Sequence, residues 1–101
     1  MATTTKALFR GAATTTLTTT LYTVPASTTT IVTDICVTNT TATAQTFDIA
    51  LAGTKLCDAV PIAGDTMINI SIKQVLTATQ VIAGGASATS VNFHISGVEV
   101  A

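Results

Sequence analysis

Apolar and polar residues alternate in short stretches along this chain, and the period is two rather than 3.6. The clearest stretch is Thr29 to Asn39, with Ile31, Thr33, Ile35 and Val37 on one face. Val32, Asp34, Cys36 and Thr38 fall on the other, which is how a strand distributes its side chains. Gln45 to Leu51 repeats the pattern, with Phe47, Ile49 and Leu51 inward and Thr46, Asp48 and Ala50 outward. The loop Asn39 to Ala44 between them predicts an antiparallel hairpin. Thr66 to Ile72 alternates again, Ile68, Ile70 and Ile72 inward against Met67, Asn69 and Ser71. Ser90 to Val100 places Val91, Phe93 and Ile95 on one face and Asn92, His94 and Ser96 on the other, with Gly97 marking a bulge or bend.

Shorter strands fill the intervals. Lys6 to Ala12 forms a first strand, Leu8 and Arg10 on one side, Ala7 and Phe9 on the other. The threonine-rich stretch Thr14 to Thr20 runs into Leu21-Tyr22-Thr23-Val24, and Pro25-Ala26-Ser27 makes a turn. Lys55 to Val60 is a strand ending before Pro61, Ala63-Gly64-Asp65 turns, and Thr79 to Ala83 is closed by Gly84-Gly85. Val75-Leu76 and its neighbours suit one helical turn at most. Seven to eight regularly spaced strands predict an all-β fold: a single-domain antiparallel β-sandwich of jelly-roll-like type over residues 6–101. Residues 1–5, only Met, Ala and Thr, predict a flexible N-terminal arm.

Composition changes the picture in one respect. Only 9% of the 101 residues are charged, against about 25% in an ordinary soluble domain. Threonine supplies about a quarter of the chain, giving polarity without charge on residues that favour a pleated surface. Such a surface is buried against a neighbour at lower desolvation cost than a charged one, which predicts assembly. The candidate interface comprises the arm residues Ala2, Thr3, Thr4, Thr5 and Lys6 and the outward apolar residues Val32, Met67 and Val98. A homotrimer is the expected self-association.

Other function classes lack their parts. Lys6, Arg10, Lys55 and Lys73 are scattered and the net charge is −1, so no basic stripe suits nucleic acid or an anionic membrane. No apolar run approaches the roughly 20 residues of a membrane-spanning helix, and the N-terminus lacks the apolar core of a signal peptide. Cys36 and Cys57 are too few for a secreted disulfide framework, which predicts free thiols in a reducing cytoplasm, with a Cys36–Cys57 disulfide between neighbouring strands as the alternative. His94 is the only histidine and sits on an outward face. With two distant cysteines it makes no metal-ligand spacing. Asp34, Asp48, Asp58, Asp65 and Glu99 form no paired-carboxylate motif, and Gly84-Gly85 lacks the lysine of a phosphate loop. No enzyme activity and no cofactor are expected.

Two segments carry a resemblance. "LYTVPASTT" at residues 21–29, leading into Ile31-Val32-Thr33-Asp34-Ile35 and Val37-Thr38-Asn39-Thr40, is similar to a group of small virion structural proteins of tailed bacteriophages. So is the closing "VNFHISGVEV" at residues 91–100. The resemblance implies an all-β module on the virion surface, synthesised and assembled in the host cytoplasm, and often trimeric. The leading expectation is a capsid decoration, or cement, protein bound to the major capsid protein. The alternative is a tail-tip, baseplate or fibre component. A glycan-binding adhesion module is the third reading; such sites present exposed aromatic residues, and of Phe9, Tyr22, Phe47 and Phe93 the last two belong to the core.

Overall fold

The computed structural model describes residues 2–101 and, among them, contains strands and turns without a helix. The strands are β1 (Thr3–Ala12), β2 (Thr20–Thr23), β3 (Thr29–Asn39), β4 (Gln45–Leu51), β5 (Thr54–Ile62), β6 (Thr66–Leu76), β7 (Val81–Ala86) and β8 (Val91–Val100). They make two four-stranded sheets, ordered β1-β8-β3-β6 and β2-β7-β4-β5. Every pairing is antiparallel. Strand n pairs with strand 9 − n in each case, so the chain is one long hairpin, folded at β4–β5 and rolled into a sandwich. Closure of the roll through β3–β8 and β4–β7 gives the jelly-roll arrangement.

The core lies between the sheets, where Phe47, Ile49 and Ile82 meet Ile35, Val37, Phe93 and Ile95, all at most 1% exposed. The Phe47 and Phe93 rings meet edge to face, their centroids 6.2 Å apart. These inward assignments follow the sequence periodicity.

Val32 does not follow it: expected outward, it is fully buried. The pairing of β3 with β8 skips Thr33 between Val32 and Asp34, and this bulge moves the alternation by one residue. Thr30 and Val32 therefore face in on one side of the bulge, and Ile35 and Val37 on the other. The irregularity crosses the whole sheet. β1 skips at Leu8, beside Ile95–Ser96 of β8, and one residue along β8, level with Ser96–Gly97, β3 skips at Thr33 and β6 at Ile72–Lys73. Gly97 is required there, because a Cβ would lie 2.4 Å from the Ile31 carbonyl oxygen and 2.8 Å from Leu8 Cδ1.

Residues 2–5 are not a flexible arm. Thr3, Thr4 and Thr5 pair with Val100, Glu99 and Val98, and Ala2 exchanges two backbone hydrogen bonds with Ala101 (3.1 and 2.8 Å). β8 offers a row of backbone donors and acceptors, and β-branched threonine is ready to extend along it. Met1 lies outside the described residues.

Three further boundaries differ from the sequence expectation. Val75-Leu76 continues β6 as strand, paired with Ile31 and Thr30, so no helical turn forms. β5 runs through Pro61 to Ile62, which an edge strand tolerates because the missing N–H faces no partner. β7 starts at Val81 and contains Gly84 and Gly85 instead of ending before them. Both are places of close backbone approach. A Cβ on Gly84 would meet the Asp48 carbonyl at 2.4 Å, and one on Gly85 the Thr16 carbonyl at 2.4 Å.

Candidate functional site

Of the residues expected at an interface, Ala2 to Lys6 are exposed along β1, Met67 is 59% exposed on β6 and Val98 is half-buried. The structure does not gather them: β1 and β6 are opposite edges of the first sheet, and Val32 is withdrawn into the core. What β1 and β6 share is an open row of backbone hydrogen-bonding groups, since each pairs on one side only. Such a row is a template for another strand unless it is short, bulged or charged. β2 has only four residues, and β5 carries Pro61 and two register breaks. β1 and β6, with ten and eleven residues, are the long free edges.

The outer face of the first sheet is flat and polar. His94 lies between Arg10 of β1 and Cys36 of β3, and Cys36 Sγ donates to Asn69 Oδ1 at 3.2 Å. The line of bulges forms a shallow furrow across this face. One part is lined by Thr33, Asp34, Ser71, Ile72 and Lys73, the other by Lys6, Arg10, Ser96 and their neighbours. Ser71 Oγ donates to Asp34 Oδ1 at 3.3 Å.

The remaining polar chemistry holds the fold. Glu99 lies between the sheets, opposite Tyr22 of β2. The Tyr22 hydroxyl donates to Glu99 Oε2, which leaves the Thr30 hydroxyl, 2.8 Å away, to donate to the tyrosine oxygen. Lys6 Nζ reaches the same carboxylate at 3.4 Å. The Tyr22 hydrogen bond, helped by Lys6, holds the Glu99 carboxyl below its ordinary range, while burial and the carboxylate raise the Tyr22 phenol. Across the molecule, the buried Asp48 accepts from Lys55 Nζ and, at 3.1 Å, from the Ala59 amide. This fixes Ala59 in the left-handed conformation (φ 48°) that bends β5. Lys55 is the main cause that holds the Asp48 carboxyl low, and Asp48 in turn raises Lys55. Asn39, 1% exposed, donates to the carbonyls of Thr43 (2.8 Å) and Ile62 (3.3 Å), tying the β3–β4 loop to the end of β5.

Among the described residues every buried side-chain nitrogen and oxygen has a partner, and no three His, Cys, Asp or Glu side chains converge on one point. Both thiols are free; Cys57 is buried, and burial, then the nearby Asp48, raises its pKa. Asp48 and the Tyr22–Glu99 bridge were not legible in the sequence, since outward alternation in β4 and an ordinary strand end in β8 conceal them.

These networks set a pH dependence. The folded carboxyls of Asp48 and Glu99 titrate below their unfolded values. Their stabilisation is therefore present above the ordinary carboxylate range and lost as pH falls through it toward the lowered folded values. The thermal midpoint is expected to be flat near neutrality and to drop below about pH 4. Tyr22→Phe removes the donor to Glu99, so it costs about 1–2 kcal/mol at pH 7 and flattens that acid limb. Melting curves from pH 3 to 8 on both proteins check this; parallel curves would contradict it.

No protein-family model matches the chain, and no curated protein does. Among solved structures, a CBM35 from Paenibacillus barcinonensis is similar at 12% identity and a TM-score of 0.39, covering 100% of this chain and 90% of its own. A pentameric capsid protein isolated from metagenomic phage sequences is similar at 12% identity and a TM-score of 0.36. A further structure of a pentameric capsid protein from such sequences stands at 11% and 0.36. Each of these two matches covers 96% of this chain, which spans 59% and 58% of the respective capsid protein's length.

Proposed function

We propose that this chain is a non-enzymatic structural subunit of a tailed-bacteriophage virion, a decoration protein that binds the assembled shell of the major capsid protein. The observation that carries the reading is the resemblance in residues 21–40 and 91–100. Those segments form β2, at the edge of one sheet, and β8 and β3, the two central strands of the other, in a jelly roll whose exposed surface holds few charges. The jelly roll is a fold of viral capsid and lectin domains alike, an analogy of fold that supports but does not carry the assignment.

The mechanism is thermodynamic. A ligand that binds the assembled shell and not its free subunits stabilises the shell by mass action. Several weak contacts held in one oligomer gain from their effective concentration. Residues 2–6 contribute as an ordered edge strand, not as a tether that folds on contact. The chain is placed on the virion surface after synthesis and assembly in the host cytoplasm.

Purified chain added to heads that lack it is expected to co-sediment with them to a fixed, saturable ratio and to raise the temperature at which they rupture. Binding to tails instead, or to neither, would contradict this reading.

A further inference from the structure

We propose that copies of this chain associate head to tail, β1 of one copy pairing with β6 of the next, so that the first sheet continues from subunit to subunit. The inference rests on the self-association part of the reading above and supplies its contact surface.

Four observations converge on these two edges. First, they are the long free edges of a single sheet, of ten and eleven residues. Strand direction alternates across β1-β8-β3-β6, so β1 and β6 run oppositely. A copy placed by a rotation that keeps strand direction therefore meets its neighbour as an antiparallel pair. Second, β1 and β6 are both bulged at nearly the same height, β1 at Leu8 beside Ile95–Ser96 and β6 at Ile72–Lys73 beside the Thr33 bulge, which faces Ser96–Gly97. The two bends lie one β8 residue apart, so the edges can run side by side with that offset.

Third, the apolar surface is incomplete at these edges. Ile68, Ile70 and Ile72 of β6 face the core but stay half-buried, because β5 covers β6 sparsely, and Phe9 of β1 is likewise half-buried. A neighbouring strand would cover both. Fourth, charge is divided between the two sides. Lys6 and Arg10 against Glu99 leave the β1 side with one positive charge. The other six charged residues lie on β3, β4, β5, β6 and the β5–β6 turn and leave two negative, which accounts for the net −1. Two-fold pairing of β1 with itself would bring Lys6 and Arg10 against their own copies, a like-charge arrangement that disfavours it. β6 itself carries a single charge, Lys73, with Asp34 and Asp65 on its side of the sheet, so pairing β1 with β6 sets fewer like charges against each other than pairing β1 with itself. A contact between two different surfaces closes into a ring when its rotation divides the circle.

The experiment is an edge-complementation test by sedimentation velocity. Thr5→Glu/Arg10→Glu blocks β1, and Ile70→Glu blocks β6; both remain folded if their thermal melts match the parent. Met67→Glu, at a 59% exposed position on the same edge, replaces Ile70→Glu should that variant melt early. The parent chain is expected to sediment as a closed oligomer. Each variant alone is expected to associate on the order of a hundredfold more weakly, from lost strand pairing and a charge placed in the contact. An equimolar mixture retains one intact β1 and one intact β6, so it is expected to form a two-copy complex and nothing larger. A parent that stays monomeric at about 100 μM, far above the micromolar range of ordinary specific association, overturns the proposal. So does a β6 variant that still dimerises, as a two-fold β1 contact requires. Head binding by a strictly monomeric chain would remove this contact and leave the virion reading intact, whereas rings that ignore heads would do the reverse.

Discussion

Phe93→Ala is expected to destabilise the folded chain by about 3–5 kcal/mol, the range for removing a fully buried aromatic ring. Phe93 is completely buried on β8 and meets Phe47 of the opposite sheet edge to face. The substitution deletes the ring that joins the two layers and leaves a cavity that surrounding strands, held by their ladders, cannot close. A domain of this size has roughly 5–15 kcal/mol in total, so the variant should retain only a fraction of its stability. Urea unfolding followed by fluorescence or circular dichroism measures it. Leu17→Ala is the control: Leu17 is 42% exposed in a loop and should change stability by no more than about 0.5 kcal/mol. Equal effects at the two positions would mean that the sheets do not pack through Phe93.

Gly97→Ala is expected to cost about 1–3 kcal/mol, as overpacking does in a filled core. The added methyl would sit 2.4 Å from the Ile31 carbonyl oxygen and 2.8 Å from Leu8 Cδ1. Ile31 belongs to β3, pinned between β8 and β6, so its backbone has little room to yield. Leu8 is the bulged residue of β1, and its flexible end can shift, which keeps the cost below that of losing a core ring. Gly53→Ala provides the contrast. Nothing lies within 4 Å of its Cβ, and the only cost is the left-handed backbone at φ 79°. A shift in urea midpoint without a change in slope is the expected signature for Gly97→Ala. A neutral result would mean that the bulge line is not where β1, β8 and β3 press together.

The strands with unbroken two-residue alternation were legible in the sequence. Phe47, Ile49 and Leu51 in β4, and Val91, Phe93 and Ile95 in β8, point where periodicity places them. Periodicity is a local property, and it fails where the ladder itself is irregular. Val32 was expected outward because the Thr33 bulge leaves no mark in composition: threonine also fills regular strand positions throughout the chain. Gly84-Gly85 reads as a strand terminator for the usual reason, yet both glycines lie inside β7, where other backbones pass too close for a side chain. The Thr3–Thr5 segment carries no hydrophobic signal at all. It is ordered by the free edge of β8, a partner more than 90 residues away that local sequence cannot reveal. Ile68, Ile70 and Ile72 were placed on the correct face, but their half-burial depends on how far β5 reaches over β6, which is a property of the assembled sandwich.

The candidate surface divides in the same way. Its low charge and its residues 2–6 and Met67 could be named from sequence, because composition and exposure of short polar segments are local. Their meaning changed with the fold: a tether became an edge strand, and Met67 proved to belong to the opposite edge of the same sheet.

An image reconstruction of the intact particle tests the central claim most directly. Density for an eight-stranded jelly roll is expected on the outer surface of the head at repeated lattice positions, with neighbouring copies in contact. Density confined to the tail, or a complete head whose outer surface carries no such module, would contradict it.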